Sequence, residues 1–214
     1  MIIAQQKSTV LYNAILCSAG CIVFAWFIHY PFPFQLAAFV SLIATAFMIS
    51  IRLNSSDDLL KKSFSGFFSS RMMVFNLTGL LMGTAAALYY RNSYGMLLFP
   101  QTFKNFTFIA IAIAVTEELV FRGFIQGQLS KLNPSFSIAF GALSHVAYKA
   151  ALFLSPFAVI KIDVVSLTLF SLPVILILGV LKHCAKSILP AVIAHAAFDI
   201  IVYAEVTKAP WWVW

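Results

Sequence analysis

Residues 164–181 contain no charged side chain, and comparable apolar runs recur along the whole chain. A continuous run of this kind is what a helix needs to cross a hydrocarbon layer about 30 Å thick. The runs are long and unbroken rather than alternating, which argues against a transmembrane β-barrel. Composition points the same way. Of 214 residues, 62% are apolar and 10% charged, with a mean hydropathy of +0.95. Soluble domains average about 45–50% apolar and about 25% charged. An ordinary soluble globule, a disordered chain and a nucleic-acid-binding domain are therefore excluded. The expected fold is all-α: a polytopic membrane helix bundle of about seven transmembrane helices with its site in the bundle interior.

The spans are expected at 9–29, 34–51, 72–90, 105–129, 135–160, 164–181 and 188–206. Pro31-Phe-Pro33 ends the first, because proline cannot continue a helix. This run is longer than a signal-peptide core and further spans follow, so it is read as a mature helix. Between spans two and three lies the most polar stretch, 52–71, with Asp57, Asp58, Lys61 and Lys62. Within it, LLKKSFSGFF could lie along the membrane surface or form a solvated loop. The tail Pro210-Trp-Trp-Val-Trp214 resembles an interfacial aromatic anchor. No internal repeat and no second domain is apparent. Residues 1–214 read as a single membrane domain, with a three-helix part at 1–104 and a core at 105–206.

The net charge is +7, and most basic residues flank apolar runs, where topology signals sit. With the 52–71 loop inside, eight cations (Lys7, Arg52, Lys61, Lys62, Arg71, Lys131, Lys182, Lys186) face the cytoplasm. Four (Arg91, Lys104, Lys161, Lys208) face outward. The bias predicts an integral, multi-pass membrane protein with a cytoplasmic N-terminus. Cys17, Cys21 and Cys184 form neither a disulfide framework nor a CxxC pair.

Against this apolar background seven polar residues stand out: Glu117, Glu118, Arg122, His145, Lys149, His195 and Asp199. A charge at the bilayer centre costs about 2.5–3.5 kcal/mol on insertion scales, so such residues pair, face a wet cavity or do chemistry. Glu118 and Arg122, His145 and Lys149, and His195 and Asp199 are each four apart, hence on one face of their helix. Three helices thus each present a short polar stripe. At ~1.5 Å per residue, Glu117, His145 and His195 lie roughly 18, 15 and 11 Å from the inner ends of their spans. A shared interior pocket is the expectation. Glu117 lies about 100° round the helix from Glu118, given ~3.6 residues per turn, so it is free to meet a histidine or a water. Each stripe also has a structural reading: an ion pair for Glu118 and Arg122, packing for the histidines, and neutralisation or snorkelling, without a catalytic role, for Lys149.

Glu117-Glu118-Leu-Val-Phe-Arg122 matches the EExxxR motif of the CPBP family, the CAAX prenyl endopeptidase and bacteriocin-processing membrane proteins. Phe140-Gly-Ala-Leu-Ser-His145 resembles its FxxxH motif, and His195-Ala-Ala-Phe-Asp199 its Hxxx(N/D) motif. The three occur in order across about 105–203. Two departures are evident. Gly141 stands four before His145, with Phe140 one residue off, and Asp199 takes a position where the prenyl endopeptidases typically have Asn.

The resemblance implies an intramembrane endopeptidase of the glutamate type, with Glu117, Glu118, Arg122, His145, His195 and Asp199 as its site. Glu117, helped by His145, would deprotonate the attacking water. His195 and Asp199 would orient or stabilise the oxyanion, while Glu118 and Arg122 would hold the helix face and tune Glu117. Expected partners are membrane lipids and a membrane-anchored, prenylated or hydrophobic-tailed peptide or protein, and no nucleic acid. No cofactor and no metal is expected, since HExxH and any i, i+4 histidine pair are lacking. Two other classes remain open: a non-catalytic membrane scaffold or immunity protein of the same family, and a proton- or ion-coupled transporter.

Overall fold

A computed structural model describes residues 2–54, 69–158 and 161–207. The loop residues Asp57, Asp58, Lys61 and Lys62 and the tail at 210–214 lie outside the described residues. The rest is a helical membrane bundle without strands among the described residues. Its helices are α1 (Ile2–Phe27), α2 (Gln35–Asn54), α3 (Ser70–Ser93), α4 (Phe106–Glu118), α5 (Pro134–Leu154), α6 (Val164–Ala185) and α7 (Leu189–Val202). Four stretches, Ser8–Phe27, Ser70–Ser93, Pro134–Leu154 and Val164–Ala185, are each long and apolar enough to cross a bilayer. Phe47, Leu169 and Phe108 are among many large apolar side chains left on the outside. That surface suits lipid rather than water.

Local chemistry sets the helix ends. Asn133 caps α5 by accepting the Phe136 N–H at 2.9 Å, and Pro134 occupies the first turn, where no donor is needed. The helix stops at Leu154 rather than continuing toward 160. Ser155 precedes Pro156 and is extended, as the residue before a proline prefers. Pro173 lies inside α6 without ending it, and α6 runs on to Ala185. The last helix stops at Val202, short of the expected 206. There the Arg91 guanidinium takes the Ile201 carbonyl at 2.9 Å, and the Lys104 N–H takes the Ala204 carbonyl at 2.7 Å.

α4 does not end at Glu118. It continues as a π-helix, Leu119–Gln126, and a final α-turn, Gly127–Leu129. Wide turns of this kind concentrate at functional sites. Here the widened segment carries Arg122 and Gln126 against α6, where they donate to the carbonyls of Ile175 (3.2 Å) and Gly179 (2.9 Å). These two rungs tie α4 to α6.

α1 packs on α2 and on α5, α5 on α6, and α7 on both α3 and α4. The α3–α7 contact is the most extensive, and it depends on Gly79 and Gly83. A Cβ at Gly79 would stand 2.2 Å from the Pro190 carbonyl oxygen, and one at Gly83 2.0 Å from that of Ala194. Small residues four apart let helix backbones approach closely where no hydrophobic effect drives them together. Sequence reasoning passed over this GxxxG pair, whose spacing was its signal. It sets α7 in place beside the residue preceding His195.

Candidate active site

α4, α5 and α7 bring Glu117, Glu118, Arg122, His145, Lys149, His195 and Asp199 into one interior cluster. Glu118, Arg122 and His145 are almost fully buried, and Glu117 and Asp199 nearly so. Burial on this scale is tolerable only because the groups satisfy one another.

Both oxygens of Glu117 are engaged. Oε1 accepts the Lys149 ammonium at 2.6 Å, and Oε2 lies 2.9 Å from His145 Nε2 and 3.7 Å from His195 Nε2. Glu118 works through Oε1, which lies 3.0 Å from the Arg122 guanidinium and 2.9 Å from His195 Nδ1. Its other oxygen, Oε2, is buried without a hydrogen-bond partner among the described residues.

The donors fix the tautomer of His145. Arg122 Nη1 bonds to His145 Nδ1, and a guanidinium only donates. His145 Nδ1 is therefore an acceptor, so the ring proton sits on Nε2 and is donated to Glu117. The plane of the Phe121 ring lies 3° from that of His145, with centroids 4.3 Å apart, which clamps the imidazole. Phe140 instead meets Phe136 at 5.8 Å. With glycine at 141, α5 comes close to the π-helical segment: a Cβ there would lie 3.4 Å from Gln126 and 3.5 Å from the Phe121 carbonyl. Phe121 falls inside the EExxxR stretch, but nothing in the sequence distinguished it from a packing residue.

His195 is held from another helix. Glu118, which is paired with Arg122, receives its Nδ1–H. Asp199, four residues on, is 3.9 Å from Nε2, beyond hydrogen-bond length. His195 Nε2 thus faces a gap bounded by Glu117 and Asp199. Three carboxyl groups share the cluster with the Arg122 guanidinium and the Lys149 amine.

The cluster borders a cavity of ≈ 480 Å³, whose wall includes His145, Lys149, His195 and Asp199. Elsewhere the wall is mostly apolar, with Tyr90, Phe170 and Phe198 among its residues. Their rings meet edge-on or tilted at 5.7–6.2 Å. The volume falls within the usual range for sites that bury an apolar ligand, about 300–1,000 Å³. Among the described residues no group of three or more His, Cys, Asp and Glu side chains is disposed to hold a metal ion.

A second, smaller network closes the other end of α7. Arg91 is completely buried and donates to the carbonyls of Leu97 (2.5 Å) and Ile201 (2.9 Å) and to Glu205 (2.9 Å). Glu205 also accepts the Gln101 N–H at 2.9 Å. That N–H first, and then Arg91, hold the Glu205 carboxyl below the usual carboxylate range.

Fold and site together define an integral membrane helix bundle with a buried glutamate–histidine–arginine cluster opening on an apolar cavity. Residues 99–201 match the family model of the type II CAAX prenyl endopeptidase Rce1-like proteins. This segment spans α4 to α7 and carries the three motifs that resemble those of the CPBP proteases. No curated protein and no solved structure matches the chain.

Proposed function

We propose that this protein is a glutamate-type intramembrane endopeptidase. It hydrolyses a peptide bond in or near a membrane-associated or lipid-modified protein or peptide. The observation that carries this reading is the geometry of Glu117: a carboxylate gripped by Lys149 and His145, faced by His195, and next to an apolar cavity.

In this mechanism Glu117 takes a proton from a water as the water oxygen attacks the scissile carbonyl. The His145 Nε2–H keeps Oε2 oriented, and Arg122 maintains the tautomer that makes this possible. Glu118 orients His195 through Nδ1, so that Nε2 points toward Glu117 and Asp199. The proton acquired by Glu117 returns through His195 to the departing amine, leaving a carboxylic acid and an amine as products. The apolar, aromatic-walled cavity accommodates the hydrocarbon part of the substrate, a prenyl group or an apolar tail.

The test is cleavage of a prenylated CAAX peptide by the full chain in detergent. Glu117→Gln is expected to lose at least about 10³-fold in rate while still purifying as a folded protein, in line with removal of a positioned base. Wild-type-like cleavage by that variant would retire the mechanism.

A further inference from the structure

Removing the base leaves open which group receives the negative charge on the carbonyl oxygen. The family motifs point to His195 and Asp199. In this chain, however, the Nδ1–H of His195 is committed to Glu118, and its Nε2 can donate only when the ring carries a second proton. Asp199 donates only when protonated. Lys149 is different. It lies on α5, one turn beyond His145, and its ammonium sits 2.6 Å from Glu117 Oε1. Its side chain keeps 21% exposure, against 5% for Glu117, and it forms part of the cavity wall. Among the described residues lining the cavity, no other Lys or Arg is present. An ammonium has three donors. One is used by Glu117, which leaves donors for an atom in the cavity beside the base.

We propose that Lys149 is a catalytic residue of this enzyme, the cationic donor that receives the oxyanion of the tetrahedral intermediate. This rests on the endopeptidase reading above. As the water oxygen bonds to the carbonyl carbon, its proton passes to Glu117 and the carbonyl π pair becomes an alkoxide, which Lys149 holds through an N–H. On collapse the pair re-forms C=O, the C–N bond breaks, and the amine leaves with the proton first taken by Glu117. Lys149 itself neither gains nor loses a proton. The same 2.6 Å contact places the ammonium directly beside the carboxylate that takes the proton from the water. A preorganised donor here is worth about 10²–10³ in kcat.

The rival role for Lys149 is that of counter-ion to Glu117 alone, and a double-mutant cycle separates the two. The probe is a prenylated CAAX peptide whose scissile amide is replaced by an anionic tetrahedral phosphinate, with the parent amide as the reference ligand. Binding is measured on the full chain in detergent in a Glu117→Gln background, where Lys149 has no carboxylate to neutralise. There, Lys149→Gln should weaken the phosphinate at least tenfold and change amide binding less than threefold, while Lys149→Arg should keep most of the phosphinate affinity. Equal phosphinate affinity with and without Lys149 would overturn the proposal, and cleavage by the wild-type chain would leave the endopeptidase reading standing. A wild-type chain that neither cleaves the amide nor binds the phosphinate would sink both.

Discussion

Glu118 Oε1 lies 2.9 Å from His195 Nδ1, across 77 residues of sequence, while Asp199, one turn from His195 on the same helix, stands 3.9 Å from the ring. The acid that orients this imidazole therefore comes from the second glutamate of the EExxxR stretch. Two variants separate the acids. Asp199→Asn should keep cleavage within about tenfold of wild type. Glu118→Gln should lose at least about 100-fold, since His195 is freed and the buried Arg122 loses its charge partner. Breaking such a pair from one side typically costs about 3–5 kcal/mol, so Glu118→Gln should also unfold at a lower temperature. Peptide-cleavage rates and unfolding in detergent read both effects, and the opposite ranking in rate would refute the assignment.

The His145 ring is clamped by Phe121, not by Phe140. Phe121→Ala removes a buried ring, a change that typically costs about 3–5 kcal/mol, and it leaves the imidazole free to tilt away from Glu117. A marked drop in both unfolding temperature and cleavage is expected. Phe140→Leu keeps an apolar side chain at a half-buried position and should cleave at close to the wild-type rate. If Phe140→Leu proved the more damaging of the two, the clamp would be misassigned.

Gly83 faces the Ala194 carbonyl with no room for a Cβ. Gly83→Ile must push α3 and α7 apart. Overpacking of this kind typically costs about 1–3 kcal/mol, and here it also moves the helix that carries His195. Thermal unfolding in detergent should fall by several degrees and cleavage should decline with it. The same change at Gly95, whose surroundings are open but whose φ is +65°, would strain only a loop and should spare the activity.

The Arg91–Glu205 network predicts a pH dependence confined to acid. The folded Glu205 carboxyl is held below its unfolded value, which is about 4.3. Its contribution to stability is therefore complete above that value and lost as pH falls through the lower, folded one. Between about pH 5 and pH 3 the unfolding temperature of the wild type should drop more steeply than that of Glu205→Gln, and at neutral pH the variant should be the less stable. Parallel curves over that window would count against the network.

Much of this was legible from residue order. Apolar runs longer than a soluble core uses, and the four-residue spacings 118/122, 145/149 and 195/199, follow from hydropathy and helix periodicity, which are local properties. Helix ends were legible less sharply. Ser155 before Pro156 stops α5 by a local rule, whereas the end of α7 at Val202 is held by distant groups, Arg91 on the Ile201 carbonyl and the Lys104 N–H on the Ala204 carbonyl just beyond it. The π-helical turn after Glu118 has no simple signature in the sequence, yet it aims Arg122 and Gln126 at α6.

The sequence by itself determined that the chain is a membrane helix bundle and which side chains are too costly to bury without a purpose, because hydropathy and helical period act within one segment. Only the tertiary structure decided the partners. Lys149 takes Glu117, Glu118 takes His195, and Phe121 takes His145, each across more than twenty residues. The physical reason is that a periodic pattern defines a face, whereas the choice of which faces meet rests on backbone approach. Here that approach is set for α3 and α7 by Gly79 and Gly83, where the missing side chain is the information.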